Sequence, residues 1–370
     1  MAKYDANDNG PVNQLRNPSN INISRGKASM TLENKFDNSE GGLSFYHNFG
    51  THDTNDSLGG KFHSTDRNDG VQLYQTFKLP VGTTITVGAD FKQYGGAVIQ
   101  KFISDSLYLI NELAGYAYAQ QTLFDKLTLS AGLRLENNSK FGNELIPLVG
   151  LNYNLTENTT FKASVSKGFR SPTVMELYLY APNPNLQPER LVNYEISWLQ
   201  SLLSNHLNLE LTAFKVKGDN LLQVVVPPFP AKRQNVGSFN NQGIEFSARY
   251  VVNRHLQFNA NYSYLNLDKI IIAAPRQQMN VGGNYSYKIW GLHVSAQYID
   301  KLYSFISPNP TISPVIEPNY LLINARLTAR PFNYLELFVS GNNLTNQQYK
   351  INYGYRMPGI NFNAGFNLRF

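Results

Sequence analysis

The chain has 370 residues, a formal net charge of +6, 13% aromatic residues and no cysteine. The absence of cysteine excludes a disulfide framework and a thiolate metal site, and no Lys/Arg-rich run of the kind that binds nucleic acid occurs. No apolar run approaches the roughly 18 residues of a membrane helix, whereas a membrane β-barrel shows its lipid face only at every second residue.

Segments in which apolar and polar residues strictly alternate recur along the chain. In the last segment every even position is apolar and every odd position is polar or glycine, from Ile360 to Phe370. Such a period of two indicates a β-strand with two unlike faces. We count about 17 such strands, most near the 9–11 residues of a tilted membrane strand. The clearest lie at 127–135, 161–166, 256–264, 292–298, 321–330 and 360–370.

Short and long connections alternate between these strands. The short ones are expected at 37–40, 80–82, 125–126, 156–158, 204–205, 253–254, 289–291 and 332–333. The long ones are expected at 51–69, 95–107, 169–188, 217–238, 267–277, 301–318 and 345–358, with a shorter one near 137–143. A soluble β-sandwich has no reason for this asymmetry, whereas an up-and-down membrane barrel has short periplasmic turns and long external loops. The pattern predicts an all-β, antiparallel transmembrane barrel.

The alternation also predicts how the chain begins. The first clear strand, 28–36, runs inward, so residues 1–27 are expected to form an external loop or a truncated start, and residues 28–370 the barrel. An odd strand count that starts outside suggests a fragment, because single-chain bacterial barrels have an even number of strands.

Three stretches carry sequence motifs, and the chain ends on an aromatic residue. The stretches are SKGFRSPTVMELY at 166–178, NPNLQPERLVNYEI at 183–196 and GNNLTNQQY at 341–349. They resemble motifs in the C-terminal barrel of TonB-dependent outer-membrane receptors, and the final aromatic resembles the closing aromatic of outer-membrane barrels. The matching residues are Gly168, Phe169, Arg170, Pro172, Glu176, Leu177, Asn183, Pro184, Leu186, Pro188, Glu189, Glu195, Asn343, Leu344, Asn346, Tyr349 and Phe370.

The resemblance implies that the chain supplies about 16–17 strands of a barrel of about 22 strands with a plugged lumen. The plug domain, the energy-coupling box and about five strands have no counterpart here. The implied function is TonB-dependent uptake, across the bacterial outer membrane, of a bulky nutrient such as an iron–siderophore chelate or cobalamin. A passive porin-like or surface-binding barrel is the alternative.

The resemblance also implies partners. They are outer-membrane lipid, the barrel-assembly machinery recognising Phe370, a bulky small-molecule ligand and, where a plug is present in the full-length protein, the TonB complex. No nucleic-acid partner and no cofactor are expected.

No residue pattern supports an enzyme. The histidines at positions 47, 52 and 63, with Asp53 and Asp56, are expected to be scattered along one loop and to form no metal site. Arg170 opens a long loop and is interpreted either as a contact to ligand or plug or as a salt-bridge partner of Glu176 or Glu189.

The external loops are rich in aromatic residues, which suit capture of a bulky ligand but can equally pack the loops on one another. The candidate ligand-binding residues are Arg170, Tyr178, Tyr180, Phe229, Tyr303 and Tyr353; Phe239, Phe305 and Tyr355 belong to the same aromatic set.

Overall fold

The structure is a computed structural model that describes residues 2–8, 19–56, 60–100, 103–179, 181–225, 232–307, 309 and 311–369. In this part of the chain it contains 22 strands and a single short helix, α1, at Val174–Tyr178. None of its helices is long and apolar enough to cross a membrane. The predicted all-β, antiparallel class is confirmed.

The strands of the first half precede the helix. They are β1 (Ala2–Asp8), β2 (Ser19–Lys35), β3 (Ser39–Asp56), β4 (Gly60–Leu79), β5 (Thr83–Gln100), β6 (Ile103–Leu123), β7 (Leu127–Asn138), β8 (Gly142–Thr156) and β9 (Thr159–Arg170).

The strands of the second half follow the helix. They are β10 (Glu189–Leu202), β11 (Leu207–Asp219), β12 (Leu222–Val225), β13 (Lys232–Asn235), β14 (Ser238–Asn253), β15 (Leu256–Asn266), β16 (Gln277–Tyr287), β17 (Trp290–Asp300), β18 (Leu302–Phe305), β19 (Val315–Glu317), β20 (Tyr320–Phe332), β21 (Leu335–Asn342) and β22 (Asn361–Leu368).

The chain divides into two compact units. The first comprises Met1–Leu151, Ser164–Val192 and Asp219–Gly237, and the second comprises Asn152–Ala163, Asn193–Gly218 and Ser238–Phe370. In the first unit β1 to β7 pair antiparallel in chain order. In the second unit β14 to β17 do the same, and β17 continues through β20 and β21 to β22.

Four short strands pair only with each other, β12 with β13 and β18 with β19. Among the described residues this leaves 18 main strands, one or two more than the sequence predicts. All eight predicted short turns are found between consecutive main strands, within two residues of their predicted positions.

The start of the chain contains strands where an external loop was one of the two predicted alternatives for residues 1–27, the other being a truncated start. β1 lies at Ala2–Asp8 and pairs with β2, which begins at Ser19. Alternation in this region is limited to two short stretches, Ala2, Tyr4 and Ala6 in the first and Ile21 and Ile23 in the second, which are too short to stand out. These strands escaped prediction from the sequence because backbone hydrogen bonds to neighbouring strands define them, with little apolar alternation. The truncated start stays a prediction.

Two predicted long loops, 51–69 and 95–107, consist mostly of paired antiparallel strands. β3 and β4 remain paired up to Asp56 opposite Gly60, and β5 and β6 up to Gln100 opposite Ile103. These strands have 18–21 residues, about twice the length needed to cross a membrane. The apolar alternation stops where the ladder leaves the apolar band, but the polar residues beyond it still pair through their backbones.

The predicted faces are present in the terminal strands. Phe362 and Phe366 are each 65% exposed, and Leu337 and Val339 on the neighbouring strand are also exposed. Phe366 lies opposite Leu337 and Ala364 opposite Val339, so these side chains share one face. An exposed apolar face of this kind is the one that a membrane barrel presents to lipid. Phe370 lies outside the described residues, so its role as an assembly signal stays a prediction.

Candidate ligand-binding loops

The long loop 171–188 begins with a short capped helix. Thr173 is the N-cap of α1: its hydroxyl accepts a hydrogen bond from the Glu176 backbone N–H at 3.2 Å. In return the Thr173 backbone N–H donates to Glu176 Oε2 at 2.8 Å. This reciprocal capping box follows from the T-x-x-E spacing and fixes where the helix starts.

Arg170 links the two ends of this loop. Its Nη1 lies 2.9 Å from Glu176 Oε2 and its Nε lies 2.5 Å from Glu189 Oε2. Glu189 also accepts a hydrogen bond from the Leu222 backbone N–H at 2.6 Å, which joins β12 to the same cluster. The geometry matches the salt-bridge interpretation with both carboxylates at once. A contact of Arg170 with ligand or plug stays a prediction.

The ionisation of Glu176 is tuned by this cluster. Burial alone would raise its pKa, but the hydrogen bonds from Thr173 and the Arg170 guanidinium outweigh burial and hold the pKa below its usual value. Glu176 is therefore a carboxylate at neutral pH, which is the state that the Arg170 pair requires.

The loop is also held by an apolar cluster. Leu177 and Leu186 are fully buried and pack with Ile110, which belongs to β6. Tyr178 stacks on Tyr108, with ring centroids 4.2 Å apart and an interplanar angle of 12°. The Tyr178 side chain therefore packs on a neighbouring residue of the protein, which is one of the two predicted alternatives for the aromatic residues.

Three further motif residues lie in this loop or in the strand that precedes it. Pro172 and Pro188 are fully buried. A Cβ at Gly168 would lie 3.3 Å from the Leu191 side chain, so this glycine permits close packing. Tyr180 and Phe229 lie outside the described residues, and their assignment as ligand contacts stays a prediction.

A second group of loops lies in the second unit. The hairpin β18–β19 pairs Tyr303 with Ile316, and Ser304 donates a buried hydrogen bond to Glu317 at 2.6 Å. Tyr353 lies on this hairpin: its backbone N–H donates to Ser304 O at 3.2 Å and its ring lies 5.4 Å from that of Phe305.

Two aromatic residues of these loops are exposed to solvent. Tyr353 is 41% exposed and Tyr355 is 43% exposed, so both retain a face that a ligand can contact. The structure thus brings the candidates Tyr303 and Tyr353 into one group of loops, while Arg170 and Tyr178 belong to the other unit.

The third motif organises loop 343–360. Asn343 is 4% exposed, and its side chain donates to Gln347 O at 2.9 Å and to Pro358 O at 3.1 Å. Asn343 Oδ1 accepts from the Gln347 backbone N–H at 2.9 Å. Asn343 has a φ of 49°, a left-handed conformation that asparagine tolerates better than most residues. The motif therefore maintains the shape of the loop.

The other residues of this motif support the same loop. Asn346 Oδ1 accepts a hydrogen bond from the Ile360 backbone N–H at 3.1 Å, and Tyr349 packs on Tyr320 at 4.7 Å between ring centroids. Leu344 is partly exposed.

The loop also brings Lys350 and Arg356 together in an isolated antiparallel bridge. This pair could not be predicted from the sequence, because a bridge between loop residues leaves no periodic signal.

The three histidines of the β3–β4 hairpin have separate partners. His47 Nδ1 lies 2.5 Å from Asp69, His63 Nδ1 lies 2.5 Å from Asp53, and His52 Nε2 lies 3.0 Å from Thr54 Oγ1. Across the described ranges no group of three or more His, Cys, Asp or Glu side chains converges on a point.

Comparison with known proteins identifies similar sequences. The family model described as "TonB dependent receptor-like, beta-barrel" matches residues 2–344. The vitamin B12 transporter BtuB of Photobacterium profundum is 30% identical over 181 residues, which are 45% of this chain and 29% of the transporter. The iron-regulated outer membrane virulence protein of Vibrio cholerae is 23% identical over 313 residues, 72% of this chain and 46% of that protein. The chain thus spans less than half of these curated relatives.

Solved structures share the fold. The ferric enterobactin receptor of Pseudomonas aeruginosa, an R480A mutant in complex with enterobactin, superimposes with a TM-score of 0.81 at 16% identity, over 95% of this chain and 62% of the receptor. The FrpB iron transporter of Neisseria meningitidis gives a TM-score of 0.81 at 15% identity, over 95% of this chain and 64% of the transporter.

Proposed function

Because the chain belongs to the TonB-dependent receptor family through its β-barrel, we propose that it is the barrel of an outer-membrane receptor that takes up a bulky nutrient. The exposed apolar face of the strands would lie in the outer membrane, and the long loops would face the medium. The barrel would bind the nutrient and let it pass through the membrane. Coupling to TonB would require the plug of a full-length protein.

The observation that supports the proposal most is that side-chain contacts hold the long loops in place. Fully buried Leu177 and Leu186 and the Arg170 ion pairs hold loop 171–188, and the Asn343 hydrogen bonds hold loop 343–360. Loops fixed in this way can hold aromatic and charged side chains in a set geometry, which selective capture of a ligand needs.

The ligand class follows from the relatives and the loop chemistry. One relative is named a vitamin B12 transporter and another is iron-regulated, and one similar structure holds enterobactin. The half-exposed rings of Tyr353 and Tyr355 suit a ligand with flat or apolar surfaces. We propose an iron chelate or a corrinoid as the ligand.

Uptake by the source organism tests the proposal. Deletion of the gene is expected to abolish uptake of one radiolabelled member of a panel of ferric chelates and cyanocobalamin, with uptake restored by the gene on a plasmid. In the parent strain an uncoupler that collapses the proton gradient should stop this uptake. Flux that depends on the gene but resists the uncoupler would instead support the passive porin, and a deletion without effect on any substrate would contradict both.

A further inference from the structure

Two positive charges are held side by side in loop 343–360. Lys350 and Arg356 face each other across an isolated antiparallel bridge, and the Met357 backbone N–H donates to Tyr349 O at 3.0 Å just outside it. Because this hydrogen bond joins the residues next to the bridge, Lys350 and Arg356 themselves exchange no backbone hydrogen bonds. In an antiparallel pair of this type the two side chains lie closest on one face. Like charges directly opposite each other destabilise a bridge.

No carboxylate neutralises this pair within the described part of the chain, where neither side chain has an ion-pair or hydrogen-bond partner. Two other groups of neighbouring cations each have an acidic partner. Lys167 and Arg190 share Glu144, and Arg326 and Arg330 share Glu336. The bridge at 350 and 356 differs from these two clusters, because its two cations face each other without a shared carboxylate.

The loop has a scaffold that maintains this close approach. Tyr349 packs on Tyr320 before the bridge, and Asn343 holds Pro358 O after it. Between them Gly354 is buried with a φ of 83°, a conformation that favours glycine and allows the chain to reverse. The backbone segments that carry the two residues therefore cannot move apart without breaking contacts that lie outside the bridge.

The geometry points to an anion-binding site formed by Lys350 and Arg356, which takes a phosphate, sulfonate or carboxylate group carried by a bulky ligand. Guanidinium and ammonium groups bind such oxygens through short, charge-assisted hydrogen bonds. The half-exposed rings of Tyr353 and Tyr355, in the turn between the two cations, offer surfaces for the ligand's aromatic or apolar body. As a statement about the transported nutrient this inference rests on the proposed function, and it favours an anionic chelate over an uncharged ligand.

Direct binding of a polyanionic aromatic probe tests the site without any transport step. The full chain, folded in detergent, is titrated into the pyrene trisulfonate dye pyranine, and fluorescence anisotropy is recorded at low and high salt. The double variant Lys350→Gln/Arg356→Gln is expected to bind at least about tenfold more weakly than the unaltered protein. The conservative variant Lys350→Arg should retain most of the binding.

A matched control removes two positive charges at short turns. Arg254 and Lys288 are at or next to the turns that lead into β15 and β17, so Arg254→Gln/Lys288→Gln changes the net charge equally. The control should bind pyranine as the unaltered protein does, and heat-modifiable migration should show that both double variants are folded. Binding by the unaltered protein no tighter than by Lys350→Gln/Arg356→Gln, or equal weakening in the control, would overturn the inference. Failure of nutrient uptake would leave the binding result standing, so the two proposals fail separately.

Discussion

Replacement of Leu177 by alanine is expected to release loop 171–188 while the strands remain folded. Leu177 has no solvent exposure and packs with Ile110 and Leu186. Truncation of a buried leucine costs about 2–5 kcal/mol, because the lost contacts leave a cavity. Since Leu177 packs the loop against Ile110 of β6, the loss should appear as loop opening, with proteolysis inside the loop faster by about 30-fold or more.

Met175 provides the matched control in the same helix. It is 46% exposed, so Met175→Ala should leave the rate of loop cleavage within about twofold of the unaltered protein. Both variants should keep the heat-modifiable migration of a folded barrel. Equal cleavage rates for Leu177→Ala and the unaltered protein would show that the apolar cluster does not hold the loop.

Replacement of Asn343 by alanine is expected to disorder loop 343–360. The change removes the hydrogen-bond partner of Gln347 N–H, Gln347 O and Pro358 O, and each of these groups that stays shielded from water without a partner costs about 1–3 kcal/mol. Alanine also disfavours the left-handed backbone at this position, where φ is 49°. Hydrogen exchange at Gln347 should accelerate by at least about tenfold, and pyranine binding should weaken because the bridge loses its scaffold.

Asn352 tests whether this effect is specific. It lies in the same loop, is exposed and has no side-chain hydrogen bond among the described residues, so Asn352→Ala should leave exchange at Gln347 unchanged. If Asn343→Ala exchanges no faster than Asn352→Ala, the hydrogen bonds of Asn343 do not maintain the loop.

The strands that cross the apolar band could be predicted from sequence because their signal is local. In the terminal strand, Phe362 and Phe366 follow the period of two that the backbone imposes, and the structure places both on one exposed face. The hairpin extension at Thr51 and Thr65 escaped prediction because these residues pair through backbone atoms, with polar side chains on both faces. Apolar periodicity indicates burial or contact with lipid. It gives no signal where a strand continues into water.

The loops could be predicted only in part. The T-x-x-E spacing at Thr173 and Glu176 is a local signal for a helix start, and it was present in the motif. The position of Leu177 against Ile110 was not predictable, because it joins residues 67 positions apart in the sequence. The bridge of Lys350 and Arg356 depends on a turn whose conformation is fixed by Tyr320 and Ser304 in other segments, so only the folded chain brings the two charges together.

The most direct test of an outer-membrane receptor barrel is the sidedness of its connections in living cells. The sequence contains no cysteine, so single substitutions give unique labels in this chain. Asn352 lies in a long loop and Asn333 in a short turn, and both are exposed. A maleimide too large for general porins should label Asn352→Cys on intact cells of the source organism, and Asn333→Cys only after the outer membrane is permeabilised. Labelling of Asn333→Cys on intact cells, or equal labelling of both, would contradict the account.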